Sequence, residues 1–335
     1  MGFVMAGNSE NRDVTFDIMK GIGILLMLVG HYWPESQYAH RFIYSFHMPL
    51  FFLVAGYFSK PSKACVWEVI KKNAKRLLSP FVMTQLLLVI WGVAQTLAKH
   101  DLSYVIKPGL SLLWGGADVL DSQWGMVYVG PMWFLPALFF GKTLFELIIS
   151  KLQNWSSFIF CVVISVSTIV LHKYIKSPWC ILQGLSCLTF MSIGFLYKNF
   201  PRWLSWIALT SWPLAVFLSS MEVVACFYKM YPLDVIGACG GTLFVWWISA
   251  HIKNIEFLSK PLAWIGELSL VVLCFHNFEW FSAIPYSIVC HMPFDIHGNW
   301  MTLFRFVFTI LLVSVVVKMP FVREMYGVRK KVIDY

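Results

Sequence analysis

Lys20-Gly-Ile-Gly-Ile-Leu-Leu-Met-Leu-Val-Gly-His31, followed by Ser45-Phe-His47-Met-Pro-Leu-Phe-Phe-Leu-Val-Ala-Gly-Tyr57, decides what kind of protein this is. Two apolar runs suited to lipid carry a lysine and two histidines. An ionisable side chain at bilayer depth is costly, so it is retained where it has work to do.

The rest of the chain has the same character. Of 335 residues, 59% are hydrophobic and only 13% charged, with 16 tryptophans, which excludes an ordinary soluble domain and a disordered chain alike. The first apolar run carries Asp17 and Lys20 and has no small-residue cleavage site after it, so it reads as a retained span rather than a signal peptide. Eight cysteines are scattered singly without a CxxC pair, as small core residues are, and no metal site is expected.

Taking ~20 residues per crossing, ten segments qualify: roughly 16–34, 42–58, 76–98, 127–149, 155–171, 179–198, 203–224, 233–252, 262–284 and 300–319. The seventh is interrupted by Pro213 and Glu222, and the chain from 203 to 231 also reads as one long bent helix. The stretch 99–126, with Gly115-Gly116, Asp118 and Asp121, predicts a small exoplasmic cap or re-entrant element, a candidate for substrate contact. The fold class is therefore an all-α integral membrane protein of about ten transmembrane helices, with residues 1–335 forming a single polytopic domain.

Lysine and arginine accumulate on the cytoplasmic side of a membrane. With the N-terminus inside, the inner segments hold nineteen of the 26 basic residues, among them Lys60, Lys63, Lys71, Lys72, Lys75, Arg76, Lys151, Lys198, Arg323 and Arg329. The outer segments hold six, and Arg305 alone falls within a span. Both termini are thus expected in the cytoplasm. The net charge of +9 is mostly this bias, and no basic run interleaved with aromatics suggests nucleic acid.

Depth follows from topology at ~1.5 Å per helical residue. Asp17 and Lys20 fall near the inner face, and His31 lies on the order of 16 Å further out. His47, His276, Glu279 and Arg305 come from three other spans and fall in the same outer-leaflet layer. At the inner face, Lys71, Lys72, Lys75 and Arg76 cluster before Leu77-Leu78-Ser79-Pro80.

These residues resemble acyltransferase family 3, in particular its branch similar to fucose 4-O-acetylase and other envelope polysaccharide O-acetyltransferases. The resemblance covers almost the whole chain. Phe16-Asp17-Ile18-Met19-Lys20-Gly21-Ile22 leading to His31 resembles the family's basic residue, ten-residue gap and histidine. Beside it stand Tyr44-Ser45-Phe46-His47-Met48-Pro49-Leu50-Phe51-Phe52 with Gly56-Tyr57, the basic cluster through Arg76 with Pro80, Trp133-Phe134-Leu135, and Gly266-Glu267-Leu268-Ser269-Leu270 before Phe275-His276. The family often has arginine where Lys72 and Lys75 stand.

The resemblance implies a membrane enzyme that moves an acetyl or other short acyl group from cytoplasmic acetyl-CoA to a hydroxyl of an envelope or capsular carbohydrate, in a bacterial inner membrane. The inner cationic cluster suits CoA phosphates, with Lys20, Lys72, Lys75 and Arg76 as donor-binding candidates. A pantetheine arm threading a polar channel would carry the thioester outward. An alcohol needs a base near neutrality, for which imidazole is suited. His31 is expected to be that base, with an acyl-histidine relay also open. His47 is expected to orient it, and Arg305 or His276 to stabilise the oxyanion. Asp17 and Lys20 have two compatible readings, a buried ion pair and a donor contact.

Blander readings accompany these. A membrane histidine also serves as an interhelical hydrogen bonder, and Lys71 to Arg76 as a positive-inside anchor. Gly21, Gly23, Gly240 and Gly241 lie within spans, where close helix packing explains them better than a nucleotide loop. His291, Asp295 and His297 match no metal-site spacing. Trp33, Trp124, Trp133 and Trp300 suit an aromatic belt or sugar stacking. A different class, a secondary transporter or flippase with a buried His/Lys proton relay, predicts inverted repeats, and the sequence has none. The chain runs only about fifteen residues past the last span, so an acceptor is expected to meet the membrane core directly or through a separate partner; an oligomer is compatible with all of this.

Overall fold

The computed structural model describes residues 13–32, 37–117, 127–278 and 299–328. Helices dominate. In chain order they are α1 (Val14–Tyr32), α2 (Gln37–Tyr44), α3 (His47–Tyr57), α4 (Val66–Asn73), α5 (Ser79–Lys99), α6 (Ser103–Trp114), α7 (Phe134–Lys151), α8 (Asn154–His172), α9 (Ile181–Ser186), α10 (Leu188–Leu196), α11 (Arg202–Leu218), α12 (Tyr231–Ile252), α13 (Glu256–Glu267) and α14 (Ser269–Phe275), followed by Asn299–Val316 and Pro320–Tyr326. Two minimal ribbons join them. Gly115–Gly116 pairs in parallel with Val127–Tyr128, and Met221–Glu222 pairs antiparallel with Phe227–Tyr228.

Among the described residues, five helical stretches are long and apolar enough to cross a membrane: Val14–His31, Val66–Lys99, Gly130–Lys151, Asn154–His172 and Tyr231–Ile252. Three bent pairs raise the count to as many as eight: Pro178–Ser186 with Leu188–Asn199 at 44°, Glu256–Glu267 with Ser269–Phe278 at 63°, and Leu303–Val316 with Pro320–Tyr326 at 101°. This is an all-α membrane architecture. The polarity of α8 is inverted relative to a soluble helix. Trp155, Ile159, Phe160, Val163, Val166 and Val170 are exposed, while Ser157, Cys161, Ser165 and Thr168 are buried. Only a lipid-like surrounding rewards that arrangement.

Two expected spans differ in detail. The run 42–58 is divided into α2 and α3, because the Ser45 hydroxyl donates to the Phe42 carbonyl at 2.7 Å and Pro49 occupies the first turn of α3, where a missing N–H leaves no bond unmade. The run 203–224 is helical only to Leu218, after which the chain turns into the ribbon that starts at Met221. In the expected cap, α6 folds back along α5, and a Cβ at Gly92 would run into the Tyr104 carbonyl. Residues 118–126, with Asp118 and Asp121, lie outside the described residues.

The chain divides into two compact units, one made of residues 1–47 and 243–335 and the other of residues 48–242. In the first, α1 lies against α13 with the backbones touching. A Cβ at Gly21 would meet the Leu262 carbonyl, and one at Gly266 would meet the Asp17 carbonyl. Ile18, Leu28, Leu268, Val272 and Leu273 fill the core there. In the second, the same device joins α3 to α10, through Gly56 at the Met191 carbonyl and Gly194 at the Leu53 carbonyl, and joins α11 to α12, through Gly240 at the Ala208 carbonyl. Small residues permit this close approach, which van der Waals contact rewards where lipid supplies no hydrophobic drive. The expectation that Gly21 and Gly240 serve helix packing is met. Of the described cysteines, Cys161, Cys180, Cys187, Cys226 and Cys274 are buried thiols. Trp133 is buried edge-on against Phe134 rather than at a surface belt. Trp33 and Trp124, and the side chain of Trp300, lie outside the described residues.

Candidate active site

His31 stands eleven positions after Lys20, about three turns at 3.6 residues each, so both stand on one side of α1. Lys20 Nζ pairs with Asp17 Oδ1 at 2.8 Å, and the Asp17 side chain is 5% exposed. The buried ion pair expected from the sequence is present, one helical turn long.

At the other end of α1, His31 enters a cluster of rings. It stacks on His276, with centroids 5.8 Å apart and planes 22° from parallel. It also meets the ring of Tyr44 edge-on at 6.5 Å. Tyr44 touches His47 at 4.8 Å and stacks on His40 at 3.8 Å. Gly30 makes the room: a Cβ there would stand 3.1 Å from Tyr44 Cε2. Arg305 lies within electrostatic range of His31. His31, His47, His276 and Arg305, from distant parts of the sequence, thus belong to one neighbourhood of the first unit. Glu279, assigned to the same layer, lies outside the described residues, as do His291, Asp295 and His297.

Two of these imidazoles have a fixed tautomer. His47 Nδ1 lies 2.9 Å from the Ile43 carbonyl, and His276 Nδ1 lies 3.3 Å from that of Val272. A carbonyl only accepts, so Nδ1 carries the hydrogen, and each neutral ring keeps its lone pair on Nε2. His276 Nε2 is buried and has no hydrogen-bond partner among the described residues. His47 and His276 are each 2% exposed, whereas His31 is half-buried. Of the three, His31 is the most exposed ring.

The basic cluster lies in the second unit. It begins on α4 and continues through a wide helical turn, Ala74–Leu78, into α5. Lys72 Nζ reaches Glu146 Oε2 at 2.8 Å, and Lys142 Nζ reaches Glu146 Oε1 at 2.9 Å. Asn73 Nδ2 donates to Glu146 Oε2 at 3.1 Å and to Thr143 Oγ1 at 3.2 Å. Lys142 also donates to Ser59 Oγ at 3.0 Å. Arg76 lies within electrostatic range of Glu146, and both Arg76 and Lys75 are exposed. Among the described residues, no group of three or more His, Cys, Asp or Glu is arranged to hold a metal ion.

A family model described as an acyltransferase domain matches residues 13–322, across both units. The chain belongs to acyltransferase family 3. It is 26% identical over 237 residues to the nodulation protein NolL of Mesorhizobium japonicum, a match covering 65% of this chain and 57% of the relative. A shorter match, 38% identical over 64 residues, links it to the nodulation protein NolL of Sinorhizobium fredii, covering 16% of this chain and 17% of that one. The chain therefore spans little more than half of the first relative's length. No solved structure matches it.

For an acyltransferase, the ring cluster offers what attack by an alcohol needs: an accessible imidazole, further imidazoles with oriented lone pairs, and a guanidinium nearby. Four members of these two clusters were not singled out as site residues in the sequence. His40 and Tyr44 are signalled by their i, i+4 spacing, which stacks them on one face of α2. Lys142 and Glu146 show the same spacing inside an apolar run, where ionisable side chains pair with one another.

Proposed function

We propose that this acyltransferase is an O-acetyltransferase that moves an acetyl group from cytoplasmic acetyl-CoA to a hydroxyl of an envelope or capsular carbohydrate, at the outer-leaflet side of a bacterial inner membrane. The observation that carries the reading is the half-buried His31 packed on the tautomer-fixed His276, within a cluster that includes His47. In the proposed step, His31 takes the acceptor O–H proton as the alkoxide oxygen attacks the thioester carbonyl. The C–S bond of the tetrahedral intermediate then breaks, and the leaving thiolate receives that proton from His31. Arg305 stabilises the oxyanion. His47 and His276 hold the first imidazole in place.

Lys72, Lys75 and Arg76 serve the phosphates of CoA, and Lys20, besides its pairing with Asp17, serves the thioester arm. The ten-span topology with both termini in the cytoplasm, and residues 1–335 working as one catalytic domain, belong to this reading. The deciding experiment reconstitutes the protein in lipid vesicles with labelled acetyl-CoA and an extract of envelope glycans. Transfer of label to a glycan supports the reading. Well-folded protein that neither binds nor turns over acetyl-CoA would remove it.

Two narrower outcomes are expected. Arg76→Ala lowers acyl-CoA affinity about tenfold or more, since a charge-assisted hydrogen bond contributes roughly 1.5–3 kcal/mol, and leaves acceptor preference unchanged. Unaltered affinity by titration calorimetry would return the cluster to an anchoring role. Single cysteines placed through residues 61–75 react with a membrane-impermeant maleimide only from the cytoplasmic side; labelling from outside would overturn the topology.

A further inference from the structure

Glu146 sits among donors in the way a phosphate does. One oxygen accepts from Lys142, and the other from both Lys72 and Asn73, at 2.8 to 3.1 Å. The Glu146 side chain is 5% exposed and that of Lys142 11%. With Arg76 within electrostatic range of the carboxylate, three cations surround one anion. Among the described residues, no second carboxylate pairs with Lys72 or Lys142. A structural ion pair needs one lysine, and surplus positive charge in a partly buried apolar place is unfavourable unless a further anion answers it.

We propose that Glu146 is an internal stand-in for a phosphate of the acyl donor. It occupies Lys72 and Lys142 until the donor arrives; the two ammonium groups then pass to phosphate oxygens, and Glu146 keeps the hydrogen bond from Asn73. Lys142 becomes a donor-binding residue beside Lys72 and Arg76. Ser59 steadies it: Ser59 Oγ accepts from Lys142 Nζ at 3.0 Å and donates to the Ala55 carbonyl at 2.9 Å. The exchange breaks and forms only hydrogen bonds and ion pairs. The inference rests on the reading of this cluster as the CoA phosphate site.

The test is calorimetric titration of CoA, and separately of inorganic phosphate, into wild-type, E146Q, K142Q and R76A protein in phosphatidylcholine nanodiscs. Expected for CoA are binding about five- to tenfold tighter in E146Q, because the competing charge is gone, and about tenfold weaker in K142Q. Unchanged or weaker binding by E146Q, with an unchanged melting temperature, would overturn the stand-in role. If R76A still weakened CoA in that case, the donor site itself would stand; no effect in K142Q or R76A would remove both. Equal tightening toward inorganic phosphate would make this a general anion site and overturn the assignment to the donor. Should E146Q fail to fold, K142Q/E146Q is compared with K142Q. Tighter CoA binding by the double variant is expected, and equal or weaker binding overturns the proposal.

Discussion

His31→Ala is expected to lower acyl transfer by about 10²–10⁴-fold, the ordinary contribution of a positioned general base, while acyl-CoA binding and the melting temperature hold. His31 is half-buried, whereas His47 and His276 are buried, so its removal takes away the proposed base and opens little of the core. His276 makes the comparison informative. Its Nδ1–H bond to the Val272 carbonyl can be kept by the side-chain amide of His276→Asn, which lacks a lone pair at the Nε2 position. Loss of turnover in His276→Asn, with stability retained, separates a role in holding His31 from a purely structural one. Full activity in His31→Ala, measured by release of CoA and by label in the acceptor, would remove the proposed base.

The class of fold was legible because lipid leaves few solutions: a long apolar run with internal hydrogen bonds must be a helix. The ends of α1 fall within two residues of expectation for that reason. Breaks were harder. Pro49 is a visible signal for the division at His47, but the bend between α9 and α10 falls at Cys187, whose φ of −91° and ψ of 1° no glycine or proline announces. Left-handed Trp179 and Cys180 ahead of α9 are equally silent in the sequence.

The candidate site was legible by depth and motif, as far as its histidines went. Stacking of His31 on His276 joins residues 245 positions apart, and only the packing of α1 on α13 and its continuation makes them neighbours. The Lys142–Glu146 pair lies open to an i, i+4 reading, yet its significance comes from Lys72 and Asn73, more than seventy positions away. Periodicity reports which face a residue occupies and is blind to what another helix brings to that face.

Gly266→Ala is expected to destabilise the protein by about 1–3 kcal/mol, the usual cost of forcing extra volume into a close-packed contact, and to reduce turnover with it. The added methyl meets the Asp17 carbonyl and approaches within 2.8 Å of the Gly21 nitrogen. These are backbone atoms of a helix and cannot rotate aside, so α1 and α13 must part. Gly21 stands in the reciprocal position against Leu262, which leaves the crossing no second place to yield. The consequence reaches the chemistry because α1 carries His31 and the chain beyond α13 carries His276, so parting the two helices disturbs the 5.8 Å stack. Gly109→Ala is the matched control. Nothing lies within 4 Å of its Cβ position, and alanine is favoured over glycine within a helix by up to about 1 kcal/mol, so that variant is expected to be as stable as wild type or slightly more so. Thermal unfolding of both variants in the same detergent, beside their acetyl transfer rates, checks the pair. A Gly266→Ala protein that melts with wild type and turns over at its rate would show that α1 and α13 do not need backbone contact to hold the histidines together.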